Sequence, residues 1–230
     1  MSSKRKILLI ICFCILDVLL LSGYMVFRNK TMLSLLKKEE NKIISSNDLG
    51  VSSTKIQTRG KYGIVEKTMK DYLSDYSTSL NSIMQIKNDH SLTSILSYDN
   101  YCSDGPDFLT SLQYLEKTKK DFNKQVDTFL LKSDDSMIEK EITMKLNNDY
   151  YIRLYDDFML SDDMKNQLLE KKEIALRLRT QMNHVFDTSL LILNFLIQNK
   201  DSWKVEDGQI QFLTEDLYNQ YMSYASQLSQ

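Results

Sequence analysis

The chain has 230 residues, with 29 basic and 31 acidic side chains, so its formal net charge at neutral pH is only −2. This balance lacks the strongly basic surface with which proteins bind nucleic acid, and we expect no nucleic-acid partner. One proline and six glycines leave few residues that interrupt helices, which predicts an all-α fold with one sizeable core.

The first predicted element is an apolar segment from Ile7 to Phe27. As a helix it would be roughly 31 Å long, which matches a hydrocarbon core about 30 Å thick. We therefore predict a single N-terminal transmembrane helix, an uncleaved signal-anchor within residues 1–30, that contacts the bilayer. The N-terminus would be cytoplasmic and the rest of the chain extracytoplasmic in the cell membrane. A cleaved signal peptide is the main alternative, and basic residues on both sides of the segment also leave an inverted topology open.

Asp17 lies at the middle of this segment, where an ionised carboxylate costs on the order of 3 kcal/mol. Two interpretations stay open. Asp17 contacts a polar group of another membrane protein or of a second copy of the chain, or it is a solitary protonated residue that an apolar helix tolerates. The first would make Asp17 an intramembrane contact for a membrane or envelope partner, with self-association as a further option.

Residues 31–62 are predicted to form a juxtamembrane segment and a flexible stalk. Apolar residues among lysines and glutamates over residues 31–45 indicate either a continuation of the anchor helix or a short helix at the membrane interface. Residues 45–62 are rich in Ser, Thr and Gly and show no periodicity, which is typical of a stalk. The extracytoplasmic helical bundle is then expected over residues 63–230.

Heptad spacing of apolar residues predicts four long helices, over residues 64–88, 108–129, 137–158 and 162–199. Capping sequences precede the last three of them. Ser103-Asp104-Gly105-Pro106 indicates a helix start with the proline in the first turn, and two Ser-Asp-Asp sequences begin at Ser133 and Ser161. Because the connections are short, neighbouring helices should be antiparallel, which predicts an elongated antiparallel bundle of about four long helices.

A small β-hairpin is predicted over residues 203–212, because the Asp207-Gly208 pair is flanked by alternating apolar and polar residues. With this pair as the two-residue loop, Trp203 faces Phe212 and Val205 faces Ile210. All four side chains then lie on one face, which should pack on the end of the bundle. Thr214 is predicted to cap a terminal helix.

Catalytic and metal-binding patterns are poorly represented in the chain. His90 and His184 lack the helical spacing of metal ligands, and Cys102 is the only cysteine outside the apolar segment, which excludes an intramolecular disulfide framework in the bundle. Cys102 with His90 and a nearby aspartate could form an activated thiol, but no spacing fixes that geometry. We therefore predict no enzyme activity, no metal and no cofactor.

These patterns favour a membrane-anchored, non-enzymatic helical bundle that acts as an extracytoplasmic protein-interaction or envelope-scaffold module. The alternative is an extracytoplasmic sensory or ligand-binding module that works with a separate membrane signalling partner. A pocket between helices with several converging polar groups would favour the alternative.

Overall fold

The fold is taken from a computed structural model, which describes residues 3–46, 49 and 55–229; at residues 3–19, 21 and 229 the description covers the backbone alone. Helix accounts for 79% of the structure, which confirms the predicted helical class. The elements in chain order are α1 (Ser3–Ser45), α2 (Gly60–Ile86), α3 (His90–Ser94), α4 (Tyr98–Ser103), α5 (Leu109–Lys132), α6 (Asp135–Thr143), α7 (Asp149–Met159), α8 (Asp162–Gln198), β1 (Trp203–Glu206), β2 (Gln209–Phe212), α9 (Glu215–Ala225) and a 3-10 turn, Ser226–Ser229.

Within the side chains that the structure describes, no helix is both long and apolar enough to cross a membrane. The predicted transmembrane helix is therefore not supported. Most of its range, residues 7–19 and 21, lies outside the described side chains, and Asp17 lies in that range. Of the two alternatives for residues 31–45, the backbone shows a continuation of the preceding helix, because α1 runs unbroken from Ser3 to Ser45.

The chain divides into two compact units, of which unit 1 comprises Met1–Ser74 and Asp135–Gln167. Its core is formed by one face of each contributing helix, where side chains repeat every three to four residues. Leu36 and Ile43 of α1 are buried there, although they precede the residue at which the sequence places the start of the bundle. The other large apolar and aromatic side chains described as buried in unit 1 are Leu49, Tyr62, Val65, Met69, Tyr72, Leu73, Ile138, Ile142, Leu146, Tyr155, Phe158, Met159 and Met164.

The predicted third long helix over residues 137–158 is wrong, because α6 ends at Thr143 and α7 begins only at Asp149. Asn147 and Asn148 fall in the break, and asparagine side chains compete for the backbone hydrogen bonds of a helix. The break also turns Leu146 into the core, whereas Met144, a member of the heptad, is 64% exposed. After α1, the long helices are therefore α2, α5 and α8 rather than four.

Unit 2 comprises Asp75–Asp134 and Leu168–Gln230. The heptad of α5 forms much of its core, since Leu115, Phe122 and Phe129 are fully buried. Tyr76 from α2 packs on Phe129, and its hydroxyl donates a hydrogen bond of 3.0 Å to the carbonyl oxygen of Leu168. These contacts join α2, α5 and α8, so the spacing of apolar residues identified the core helices of this unit correctly.

The start of α5 differs from the predicted one. Asp104 caps the helix as expected, because its carboxylate accepts hydrogen bonds from the backbone N–H groups of Thr110 and Ser111, at 3.2 and 2.7 Å. Pro106, however, lies in the preceding turn and not in the first turn of the helix, which begins at Leu109. At Gly105 a Cβ atom would lie 2.4 Å from the carbonyl oxygen of Tyr101, so this turn accommodates only glycine.

The hairpin has the predicted register, with Trp203 opposite Phe212 and Val205 opposite Ile210. Asp207 and Gly208 both have positive φ angles, of 51° and 78°, as the favoured two-residue turn requires.

The hairpin contacts the rest of unit 2 through Phe212, whose ring centroid lies 6.1 Å from that of Phe195, and through Trp203. Its ring stacks on that of Phe108 at a centroid distance of 5.9 Å, and its Nε1 donates a hydrogen bond of 2.7 Å to the carbonyl oxygen of Leu196. The hydroxyl of Thr214 accepts a hydrogen bond from the backbone N–H of Leu217, which confirms the predicted cap of α9.

Replacing Trp203 with alanine should lower the melting temperature of the full chain, because the variant loses the stack on Phe108 and the hydrogen bond to Leu196. A loss of about 2 kcal/mol corresponds to roughly 4–8 °C in a protein of this size. Circular dichroism at 222 nm during heating measures it. Leu213→Ala is the matched control, since Leu213 is 72% exposed beside the same hairpin. An unchanged melt of the Trp203 variant would show that its contacts with Phe108 and Leu196 do not stabilise the fold.

Candidate functional site

The residues singled out in the sequence are not assembled into a catalytic group among the described side chains. Cys102 is exposed, and no described hydrogen bond joins it to His90. The carboxylate of Asp104, one of the aspartates near Cys102, is engaged in capping α5. Across the residues that the structure describes, no three His, Cys, Asp or Glu side chains are grouped to hold a metal ion. The expected lack of enzyme activity stays a prediction.

A buried group of three charged side chains in unit 1, Glu39, Glu66 and Lys70, is called the charge clamp below. Lys70 is 4% exposed, and its ammonium donates hydrogen bonds to Glu66 Oε1 at 2.7 Å, to Glu39 Oε2 at 2.9 Å and to the carbonyl oxygen of Lys55 at 2.9 Å. An ammonium group has three protons to donate, so Lys70 uses all of them.

The two carboxylates of the charge clamp are also engaged. Glu66 is fully buried, and its oxygens accept hydrogen bonds from the backbone N–H groups of Gln57 and Thr58 and from the Thr58 hydroxyl, at 2.8–3.0 Å. The remaining oxygen of Glu39 accepts a hydrogen bond from Lys42. The charge clamp therefore joins three segments: α1, the chain over residues 55–58, and α2.

Burial disfavours the charged form of each member of the charge clamp. For Glu39 and Glu66, hydrogen bonds from Lys70 and other donors outweigh that burial and hold the pKa of each carboxyl below its ordinary value. The same hydrogen bonds outweigh burial at Lys70 and raise the pKa of its ammonium. All three groups stay charged near neutral pH, and because their donors and acceptors are used internally, the charge clamp is structural rather than ligand-binding.

An open cleft in unit 2, the interhelical cleft, has a volume of about 620 Å³ and lies between the C-terminal part of α2 and the middle of α8. Its lining residues recur at helical spacing on both sides, so each helix presents one face to it. From α2 and the following turn these residues are Asn81, Met84, Gln85, Lys87 and Asn88, and from α8 they are Ile174, Arg177, Leu178 and Gln181.

Four side-chain amides, an ammonium and a guanidinium thus surround three apolar side chains in the interhelical cleft, with no acidic residue in the lining. Its volume falls in the range of small-molecule sites, and a mixed apolar and polar lining is typical of them. What this arrangement offers chemically is hydrogen bonding and positive charge for a ligand, rather than a nucleophile or a general base.

A second cavity of about 500 Å³ shares Lys87 and Gln181 with the interhelical cleft. Its lining is more apolar, because Leu92, Met182, Val185 and Leu228 contribute to it.

His184 also lines this second cavity, and its Nε2 is 2.8 Å from the carbonyl oxygen of Gln227. Since a carbonyl oxygen only accepts hydrogen bonds, Nε2 carries the proton in this contact. His184 thus holds the C-terminal turn beside the cavity.

The sequence did not predict the charge clamp or the interhelical cleft. Glu66 and Lys70 are spaced four apart on α2, which indicates an ion pair but not its burial. Glu39 is 31 positions before Lys70, and no periodicity links them. The interhelical cleft is lined by residues that flank the apolar stripe, and Asn and Gln at such positions resemble any solvated helix face.

Comparison with protein-family models, curated proteins and solved structures finds no match for this chain.

Replacing Lys70 with methionine should lower the free energy of unfolding by about 3 kcal/mol at pH 7, because Glu39 and Glu66 would stay buried without their shared cation. Urea unfolding of the full chain measures the change. Lys67→Met is the matched control, since Lys67 lies on the same helix in an exposed pair with Asp71, and such a pair contributes less than about 1 kcal/mol.

The same urea unfolding experiment at lower pH tests whether the ionised carboxylate of Glu66 stabilises the fold. The pKa of Glu66 is held below its ordinary value of 4.5, so its stabilising contribution is present above pH 4.5 and is lost as the pH falls through the lowered value. The cost of Lys70→Met should therefore shrink below pH 4.5. A cost that is equal to that of Lys67→Met, or that does not change with pH, would contradict the assignment.

Proposed function

We propose that the chain is a membrane-anchored, non-enzymatic interaction or envelope-scaffold module whose helical units are extracytoplasmic. The single observation that carries the proposal is the continuity of α1, which has 43 residues and extends through the apolar segment into the core of unit 1. A helix of that length spans about 65 Å. Its apolar part would cross the bilayer, and its remaining turns would reach the charge clamp.

This continuity supports a scaffold because α1 is fixed at its C-terminal end. Leu36 and Ile43 are buried in unit 1, and Glu39 between them is bound to Lys70 of α2. A partner that binds α1 within the membrane would thus be connected to unit 1 through the helix and the charge clamp. Asp17 is the residue proposed for that partner contact, since a carboxylate in an apolar helix gains most from a polar partner.

A second candidate function, a sensory or ligand-binding module, is favoured by the interhelical cleft. Its converging amides and cations are the kind of lining that a ligand site requires. In this second function, a separate membrane signalling protein would respond to ligand binding in the cleft.

The proposal is tested in intact cells that express the full chain with a C-terminal tag. External protease should remove the tag without lysis, because the helical units are proposed to be extracytoplasmic. Crosslinking in the membrane, followed by capture through the tag and mass spectrometry, should then recover a membrane protein from cells with the native chain. Recovery should be lost with Asp17→Leu, which removes the intramembrane carboxylate.

Ile15→Leu serves as the control, because it changes a neighbouring residue of the same segment without changing polarity. A tag that is digested only after lysis would overturn the proposed location. If Asp17→Leu and Ile15→Leu recover the same proteins as the native chain, Asp17 is not the partner contact.

A further inference from the structure

The interhelical cleft carries one inference about ligand chemistry. We propose that it binds a small organic anion, whose charged group lies by Arg177 and Lys87 and whose apolar body lies on Leu178 and Met84. This inference rests on the second candidate function, because it names the class of ligand for the same cleft.

The charge of the cleft points to an anion. Arg177 and Lys87 are exposed side chains of the lining, and neither forms an ion pair with any side chain that the structure describes. Elsewhere in unit 2, Lys119, Lys132 and Arg179 each pair with an aspartate, whereas Lys171 and Lys172 form no ion pair among the described side chains but do not line the cleft. The two cations of the cleft are thus available for a ligand.

The two cations of the cleft differ in their position relative to the helix ends. Lys87 follows the C-terminal end of α2, where the helix dipole already favours a positive charge, so Lys87 alone would not indicate a ligand. Arg177 lies in the middle of α8, far from either end of that helix, and the dipole gives no reason for its charge. A guanidinium binds carboxylate and phosphate oxygens through two parallel N–H groups, which fits it for the charged end of the ligand.

The amides of the cleft add hydrogen bonds around the same position. Gln181 lies one turn beyond Arg177 on α8, and Asn81, Gln85 and Asn88 lie at matching spacing on the opposite side. Each amide supplies two N–H donors, which suit the oxygens of an anionic group. The same amides also supply a carbonyl oxygen, so hydroxyl or N–H groups on the ligand could be bound as well.

The apolar body of the ligand has a surface on which to lie. Leu178 is 7% exposed at the floor of the cleft, with Ile174 and Met84 beside it. The neighbouring cavity, reached past Lys87 and Gln181, adds Leu92 and Val185. A ligand with a charged group at one end and a short apolar chain or ring at the other therefore matches the cationic lining and the apolar surface of the cleft.

Binding is tested with the full chain in lipid nanodiscs at low ionic strength, by ligand-observed NMR. The probes are 4-phenylbutanoate and phenyl phosphate, which share an apolar ring and differ in the anionic group, and 4-phenylbutanol, which is neutral. Both anions, or one of them, should bind more tightly than the alcohol. Arg177→Gln and Lys87→Gln should each weaken anion binding by about tenfold and leave binding of the alcohol unchanged.

Lys172→Gln is the matched control, because Lys172 lies on α8 and carries the same charge but does not line the cleft. Equal binding of the alcohol and the anions would overturn the anion class while leaving a ligand site. Failure of both anions to bind above empty nanodiscs, or an equal loss with Lys172→Gln, would overturn the inference. None of these results depends on the Asp17 experiment, so the interaction module and the ligand site are judged separately.

Discussion

The ammonium group of Lys70 holds together segments that the chain order separates. Its three hydrogen bonds reach Glu39 on α1, Glu66 on α2 and the backbone at Lys55. A buried cation between two carboxylates is stable only where each partner is satisfied, because removing charges from water costs several kcal/mol per ion. Backbone N–H groups at Gln57 and Thr58 satisfy the rest of Glu66. We therefore expect the arrangement to favour one position of α1 against α2, because any other position would leave buried charges unpaired.

The proposed function depends on this position. Because α1 extends without a break from the apolar segment into unit 1, the proposed partner contact at Asp17 and the charge clamp would lie on the same helix. In unit 2 the interhelical cleft supports the second candidate function, because its amides and cations are the groups proposed to bind a small anion.

The sequence predicted those parts of the fold that depend on local rules. Asp207-Gly208 determined the hairpin register, and Asp104 and Thr214 act as helix caps. The heptad of α5 identified core residues because one face of a helix repeats at a fixed interval. The same rule failed over residues 137–158, where two asparagines and the burial of Leu146 interrupt a pattern that continues in the sequence.

The candidate sites were less accessible to sequence reasoning. Glu39 and Lys70 meet only because the chain returns after α1, and their separation in sequence carries no signal. The cleft residues Asn81, Gln85 and Gln181 have no distinctive chemistry one at a time. Their convergence arises from the way α2 packs beside α8, which is a property of the tertiary structure.

The most direct test of the account is amide hydrogen exchange of the full chain in lipid nanodiscs, followed by mass spectrometry. If the charge clamp fixes α1 to unit 1, residues 36–45 of α1 should be protected and should exchange together with residues 60–74 of α2, as one cooperative unit. Free exchange over residues 36–45, with protection kept over residues 60–74, would show that α1 is not held and would contradict the account.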